Sequence, residues 1–419
     1  MFLDTILILC RSSIFEQIIF MRIFFIVALI FTTISCDAQK TNYTAHVERS
    51  DGILIPFSFT WLKEKGKNSW LIRNAAEQII VSDVQIHGDS VIVNMPVFES
   101  EFRLVLHAAK LTGQWIKGGS IRNQVMAFTA NPSNERFNRA QPSHSRLTGG
   151  WSVKFKDTSD SSVAKFNQTG NKLTGTFLNP KGDYRYQEGT VSGDSIFLSS
   201  FDGGHAFLFT AHIRNDHTLD YGKFYSGFKY KEDWSATRNS KALVSQASVA
   251  MAVKPGEDHL HFTFNNLDKQ PVSITDLKFK NKVVIIQLMG SWCPNCMDET
   301  AFLSNYYNKN RSRGIEVIAL AYEYSADWAR SEKSLRKFQK RFDVQYTILN
   351  TGIAVSDTLR TQKTLPEVTD IKFFPSSIIL DKKGKIRKFD TGFNGPATGV
   401  YYTQFKREFE ETIDALLKE

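Results

Sequence analysis

Cysteine is scarce in this chain. There are four in 419 residues, at positions 10, 36, 293 and 296. That scarcity excludes a small scaffold stapled by disulfides. Cys10 and Cys36 fall in the N-terminal targeting region, which leaves one close pair, Cys293 and Cys296. In an exported chain, one closely spaced pair points to catalysis rather than to structure. No histidine or cysteine follows Cys296. A structural zinc site needs four ligands, so the pair is not half of one, and no metal is expected. Basic blocks with interleaved aromatics are also missing. The net charge of +9 is spread along the chain, which argues against a nucleic-acid partner and for a solvated basic surface, near anionic lipid.

A chain of 419 residues is too long for one ordinary core, so two or three domains are expected. Phenylalanine is abundant, at 33 residues, and aromatics make up 13% of the chain. Such a bias favours sheet-rich domains.

The N-terminus reads as an export signal over residues 1–38. Met21-Arg22 precedes the short apolar core Ile23–Phe31, followed by the small-residue stretch Thr32–Cys36. That core is too short for an ordinary membrane-spanning helix. Ser35-Cys36 has the form of a bacterial lipoprotein cleavage site, with Cys36 as the lipidated first residue. Cleavage after Ala38 and an uncleaved anchor are the rival readings. Translation from Met21 accounts most simply for residues 1–20.

Residues 42–236 read as an antiparallel all-β domain, a barrel or a sandwich. Short β-rich runs such as Ser90–Val93, Phe102–Leu106 and Ser195–Leu198 are punctuated by Gly, Asn and Asp. Two weak repeats are visible. Val84–Ile92 resembles Gly189–Phe197 around a shared Gly-Asp-Ser turn, and Leu111–Trp115 has a looser echo in Leu219–Phe224. Each half is expected to be a meander of about six strands. The halves either close a common barrel or pack as two sheets. Seven histidines lie here, and His205 and His212 could approach a metal, but their spacing matches no ligand motif.

Residues 237–254 read as a linker, and residues 255–419 alternate between strand and helix patterns. The apolar run Val283–Met289 is a buried strand. It leads through Gly290-Ser291-Trp292 into Cys293-Pro294-Asn295-Cys296, where a helix begins. Gly314 ends that helix, and Ile315–Leu320 is the next strand. A basic helix over Ala326–Phe342, a strand at Tyr346–Leu349, an irregular insertion at Asn350–Val368 and a strand after Phe374-Pro375 follow. The last helix, about Tyr402–Leu417, puts Phe405, Phe409, Ile413 and Leu416 on one face.

Strand, tight turn, Trp-Cys-x-x-Cys and helix, with Phe374-Pro375 and Asp381–Lys385 at matching order and spacing, resemble the TlpA/ResA-like branch of the thioredoxin superfamily. The resemblance covers about two fifths of the chain. It implies a thioredoxin-like α/β domain and an exported, membrane-tethered disulfide reductase with no bound cofactor. Its partners would be substrate proteins with disulfides or thiols and an upstream electron donor. Cys293 would be the nucleophile, favoured as thiolate by the helix N-terminus. Cys296, one turn on, would resolve the mixed disulfide. Pro294 suits the first helical turn because it has no N–H to lose. The resemblance further implies that Pro375 is cis and presents the Phe374 backbone to substrate, and that Glu299 relays protons. Glu299 could equally be a solvated helix charge beside Asp298. Trp292 would wall the substrate site. Gln287 stands where thioredoxin itself carries a buried acid.

Two other functions stay open. A thiol peroxidase shares this fold, although neither cysteine has the Pro-x-x-x-Thr-x-x-Cys context. A binding lipoprotein, in which the β domain carries the main role, is the non-enzymatic reading.

Overall fold

The structure, a computed structural model, describes residues 39–137, 141–158, 160–244 and 251–419. Residues 1–38, where an export signal is expected, with Cys10 and the lipidation candidate Cys36, and residues 245–250 of the expected linker lie outside the described residues.

Alternation of apolar and polar residues rolls the N-terminal β region into two separate sheets rather than one common barrel. The first holds β1 (Gln39–Glu48), β2 (Leu54–Glu64), β3 (Lys67–Asn74), β4 (Glu77–Val81), β5 (Asp83–His87), β6 (Ser90–Asn94), β7 (Ser100–His107), β8 (Lys110–Lys117) and β9 (Gln124–Pro132). The order is β4-β3-β2-β1-β9-β8-β7-β6-β5, so the meander curls until β1 meets β9, with β4 and β5 left as edges. The expected six strands become nine. One reason is that β4 and β5 are joined by Ser82 alone, with no Gly or Pro to mark the break.

The second sheet holds β10 (Gly149–Phe155), β11 (Ser162–Thr169), β12 (Lys172–Asn179), β13 (Gly182–Asp183), β14 (Gln187–Ser192), β15 (Ser195–Phe201), β16 (Ala206–Asn215), β17 (Thr218–Ser226) and β18 (Tyr230–Arg238). Here β11 and β12 pair as well, and the ring of eight strands closes with β13 hanging from the end of β12. The repeats seen in the sequence are equivalent hairpins: β5–β6 turns at Gly88-Asp89 and β14–β15 at Gly193-Asp194.

Inward positions at period two explain the abundance of phenylalanine. The first ring is filled by Phe57, Phe59, Trp70, Phe102 and Phe128, the second by Trp151, Phe155, Phe177 and Phe209. The rings also share a core, since Phe201 of β15 stacks on Phe57 at 4.1 Å. His205 pairs with Asp202 and His212 with Asp220.

The C-terminal sheet has the order β20-β19-β23-β22-β21-β24-β25, with β19 (Thr263–Asn266), β20 (Pro271–Ser273), β21 (Val283–Met289), β22 (Ile315–Ala321), β23 (Thr347–Asn350), β24 (Ser376–Leu380) and β25 (Ile386–Thr391). β21, β22 and β23 run parallel, while β24 and β25 are antiparallel. Every residue of β21 is buried, as a strand covered on both faces requires. One face packs against α1 (Pro294–Asn310), α2 (Trp328–Arg341) and α4 (Val400–Lys418). The other face packs against Leu365, Val368 and Ile371. The insertion expected to be irregular contains a short helix, α3 (Arg360–Thr364). Among the described residues no helix is long and apolar enough to cross a membrane.

Candidate active site

β21 delivers the chain to the cysteines. A Cβ on Gly290 would sit 2.2 Å from Nε1 of Trp292, so only glycine lets the indole fold back there. That indole donates to the Tyr322 carbonyl at 2.8 Å and stacks on Tyr324. Ser291 is pinned by Glu323, whose carboxylate accepts from the Ser291 N–H at 2.8 Å and from its hydroxyl at 2.6 Å. Burial pushes the Glu323 carboxyl up to about 7.

Cys293 is the N-cap of α1, with Pro294 at the first helical position. Its Sγ accepts the Cys296 N–H at 3.3 Å, one of the orphan donors at a helix start. On its other side the Cys293 thiol lies 3.5 Å from the Phe374 carbonyl. The Phe374–Pro375 peptide is cis. Cys296 lies behind Cys293, fully buried against 4% exposure for Cys293. Burial, and then the adjacent Cys293, raise the Cys296 thiol well above its ordinary value.

Glu299 is not a solvated helix charge. It is buried under α1 and accepts from Gln287 Nε2 at 2.8 Å and from Ser377 Oγ at 2.9 Å. Burial pushes its carboxyl up to about 7. Gln287, buried in β21, thus holds the acid of the neighbouring helix. Asp298 turns the other way and, half-buried, pairs with Arg185 of the second ring at 2.9 and 3.0 Å.

That contact leads to what the sequence did not reveal. After β12 the chain leaves the second ring and lies against the cysteines. Gly182 bridges to Phe393, and the Asp183 carboxylate accepts the Gly395 N–H at 2.6 Å. Gly182 comes so close that a Cβ there would stand 1.9 Å from Asn295 Nδ2, between the two cysteines. Arg185 also reaches Glu77 of the first ring at 2.6 Å and Asp202 at 3.7 Å. Between this loop and the Phe373-Phe374 segment is a cleft of about 470 Å³, lined by Trp292, Cys293, Pro294 and Phe374. Pro375, the next residue, is buried and does not line the cleft. The available signals were Gly182 in Pro-Lys-Gly-Asp and the charged Arg185, neither of which names a partner 113 residues away.

A thiol at a helix N-cap, a buried thiol one turn on and a facing cis-prolyl loop on a mixed sheet define a thioredoxin-like redox domain. Residues 254–402 match the Redoxin family model, so the C-terminal region carries a Redoxin domain with both β rings outside it. The chain is similar to the thiol-disulfide oxidoreductase ResA of Bacillus subtilis (strain 168), 23% identical over 141 residues. That match covers 34% of this chain and 69% of the relative. ResA of Bacillus thuringiensis subsp. konkukian is 25% identical over 132 residues, 31% of this chain and 66% of the relative. Among solved structures, a thiol:disulfide interchange protein from Chlorobium tepidum has a TM-score of 0.28 at 18% identity, covering 40% of this chain and 99% of that one. A thiol-disulfide oxidoreductase from Bacteroides fragilis has a TM-score of 0.27 at 16% identity, covering 36% and 99%.

Proposed function

We propose that this protein is a thiol-disulfide oxidoreductase of the cell envelope that reduces disulfides of substrate proteins. The observation that carries the reading is the placement of the Cys293 sulfur, at the N-cap of α1 and on the lining of a cleft, with Cys296 buried behind it. The ResA relatives support the same chemistry.

In the proposed cycle the Cys293 thiolate attacks one sulfur of a substrate disulfide. A mixed disulfide forms and one substrate thiolate leaves. Cys296 then gives up its proton and attacks the Cys293 sulfur. The Cys293–Cys296 disulfide forms and the second substrate thiolate leaves. Two electrons pass from the dithiol to the substrate, and an external donor dithiol restores the pair. Glu299, poised near neutrality by burial, takes the Cys296 proton. Trp292, Pro294 and Phe374 form the substrate-binding wall, and Pro375 sets the Phe374 carbonyl that faces Cys293.

Export through the signal in residues 1–38, lipid attachment at Cys36 and the division into a β-rich part at 42–236, a linker at 237–254 and a redox domain at 255–419 belong to the same proposal. The test is reduction of insulin disulfides by the reduced protein. Cys293→Ser is expected to abolish turnover, and Cys296→Ser to accumulate a mixed disulfide. Turnover retained in Cys293→Ser would sink the reading.

A further inference from the structure

The cleft beside Cys293 has two walls of different origin. One is the Phe373-Phe374 segment of the redox domain. The other is the loop that follows β12 in the second ring, which is outside the Redoxin match. The charged residues lining it are Lys181, Asp183, Arg185, Arg360 and Lys372. Two of these are already satisfied. Arg185 is surrounded by Glu77, Asp202 and Asp298. The Asp183 carboxylate is occupied by the N–H groups of Gly395 and Arg185, each at 2.6 Å, and burial pushes it up to about 7.

The other three are positive. Lys181 is exposed and sits 5.0 Å over the Phe373 ring, so it spans the cleft from the ring side. Lys372 is exposed on the opposite wall. Neither has a carboxylate within ion-pair distance among the described residues. Arg360 is held by the carbonyls of Val355, Asp357 and Ile371, and the carboxylate of Asp357 is taken by Lys363 at 2.6 Å. Carbonyl dipoles orient the guanidinium without cancelling its charge. Among the described residues the lining charges without an ion-pair partner, Lys181 on one wall and Arg360 and Lys372 on the other, are therefore all positive.

We infer that the second ring and the redox domain together form a substrate cleft selective for an extended, acidic polypeptide segment flanking the disulfide to be reduced. The inference rests on the dithiol reading above. A cleft of about 470 Å³ set between two loops fits a strand of peptide better than a folded surface. The positive rim would favour Asp or Glu on either side of the reacting cysteine and disfavour Lys or Arg.

The test compares kcat/KM of the full protein for two disulfide peptides of equal length, differing only in Glu or Lys beside the cysteine. Glu in place of Lys turns repulsion into attraction at both lysines, so the acidic peptide is expected to be preferred about five- to thirtyfold at low salt. The preference should collapse in about 1 M salt, where the screening length is about 3 Å. The double variant Lys181→Glu/Lys372→Glu is expected to reverse it. Equal kcat/KM for the two peptides at low salt would overturn the inference. So would a double variant that keeps the wild-type ratio, or a preference for glutathione disulfide with no discrimination between peptides. Uncharged hydroxyethyl disulfide separates the two levels. If the wild type reduces it, a flat peptide ratio removes the charge selection alone. If it does not, the dithiol reading itself has failed.

Discussion

The two β rings follow one strand order and part company at a single element. In the first ring, β3 turns through Ala75 into β4, which then pairs with β3 from Glu77 to Val81. In the second, β12 turns through Pro180 and Lys181 into β13, where only Gly182 and Asp183 pair. Two consequences follow. A full-length β4 occupies the outer edge of β3, so β5 cannot pair there and the first ring stays open. The stub β13 covers only the end of β12, leaving Lys172–Gly175 free to pair with β14 and close the second ring. On the redox domain side, Gly182 bridges to Phe393 through its backbone and the Asp183 carboxylate accepts the Gly395 N–H. One copy of the repeat is thus scaffold, and the other is scaffold plus one wall of the cysteine cleft.

The largest effect on this division is expected at Arg185, where both rings meet the redox helix. Arg185→Ala leaves the carboxylates of Glu77, Asp202 and Asp298 crowded without their shared cation. Breaking a buried ion pair from one side costs about 3–5 kcal/mol. Urea denaturation should show a loss of that order, together with faster alkylation of Cys293. A loss below about 1 kcal/mol would place the cluster in the class of surface pairs.

Glu299 supplies the signal of the redox domain alone, against which effects from the rings can be read. Its carboxyl is raised to about 7, so it is mostly protonated below that pH and becomes able to accept a proton as pH rises through it. Resolution of the mixed disulfide by Cys296 should therefore speed up with pH around a midpoint near 7. Glu299→Gln should slow that step about a hundredfold and remove the midpoint. Stopped-flow kinetics across the pH range would check this. An unchanged midpoint in the variant would assign it to another group.

A pair of glycines separates backbone cost from contact. Gly66, in the β2–β3 turn of the first ring, has a φ of +77° and nothing within 4 Å of a Cβ. Gly182 has a φ of +138°, and its Cβ would overlap Asn295. Alanine costs about 1 kcal/mol through the backbone at Gly66 and about 1–3 kcal/mol at Gly182, whose φ lies beyond the left-handed helical well. Only Gly182→Ala should also loosen the wall, by a further 1–2 kcal/mol or so, raising the alkylation rate of Cys293 about five- to thirtyfold. Equal rates in the two variants would mean that the loop does not shield the cysteine.

The redox domain was legible because its signals are local. The apolar residues of β21, six of its seven, the cysteine spacing, Gly314 and Phe374-Pro375 each specify a feature within a few residues. The burial of Glu299 was not legible, since the sequence places it on a helix but not on which face. Strand number in the rings was underread where a single residue, Ser82, makes the turn. The docking of the loop after β12 was invisible for a different reason. Gly182, Asp183 and Arg185 form an ordinary turn composition. Their role depends on Asn295, Asp298 and Gly395, brought near only by the packing of one ring on a separate sheet.

The first ring touches the redox domain too, and that contact offers the finest test of the division of labour. Glu99, in the β6–β7 turn, forms an ion pair with Arg330 of α2 at 2.7 Å and accepts from Ser334 Oγ at 3.0 Å. The two charged side chains are 31% and 29% exposed, unlike the enclosed Arg185 cluster. Water competes for such a pair, and its contribution is about 0.2–1 kcal/mol. The neighbouring Val97 and Phe98 pack into the core of the redox domain and would still hold the ring in place. Arg330→Ala should therefore lower stability by less than about 1 kcal/mol and leave Cys293 alkylation unchanged. If it exposed Cys293 as much as Arg185→Ala does, the first ring would be part of the wall after all. The open and closed rings would then act as a single lid.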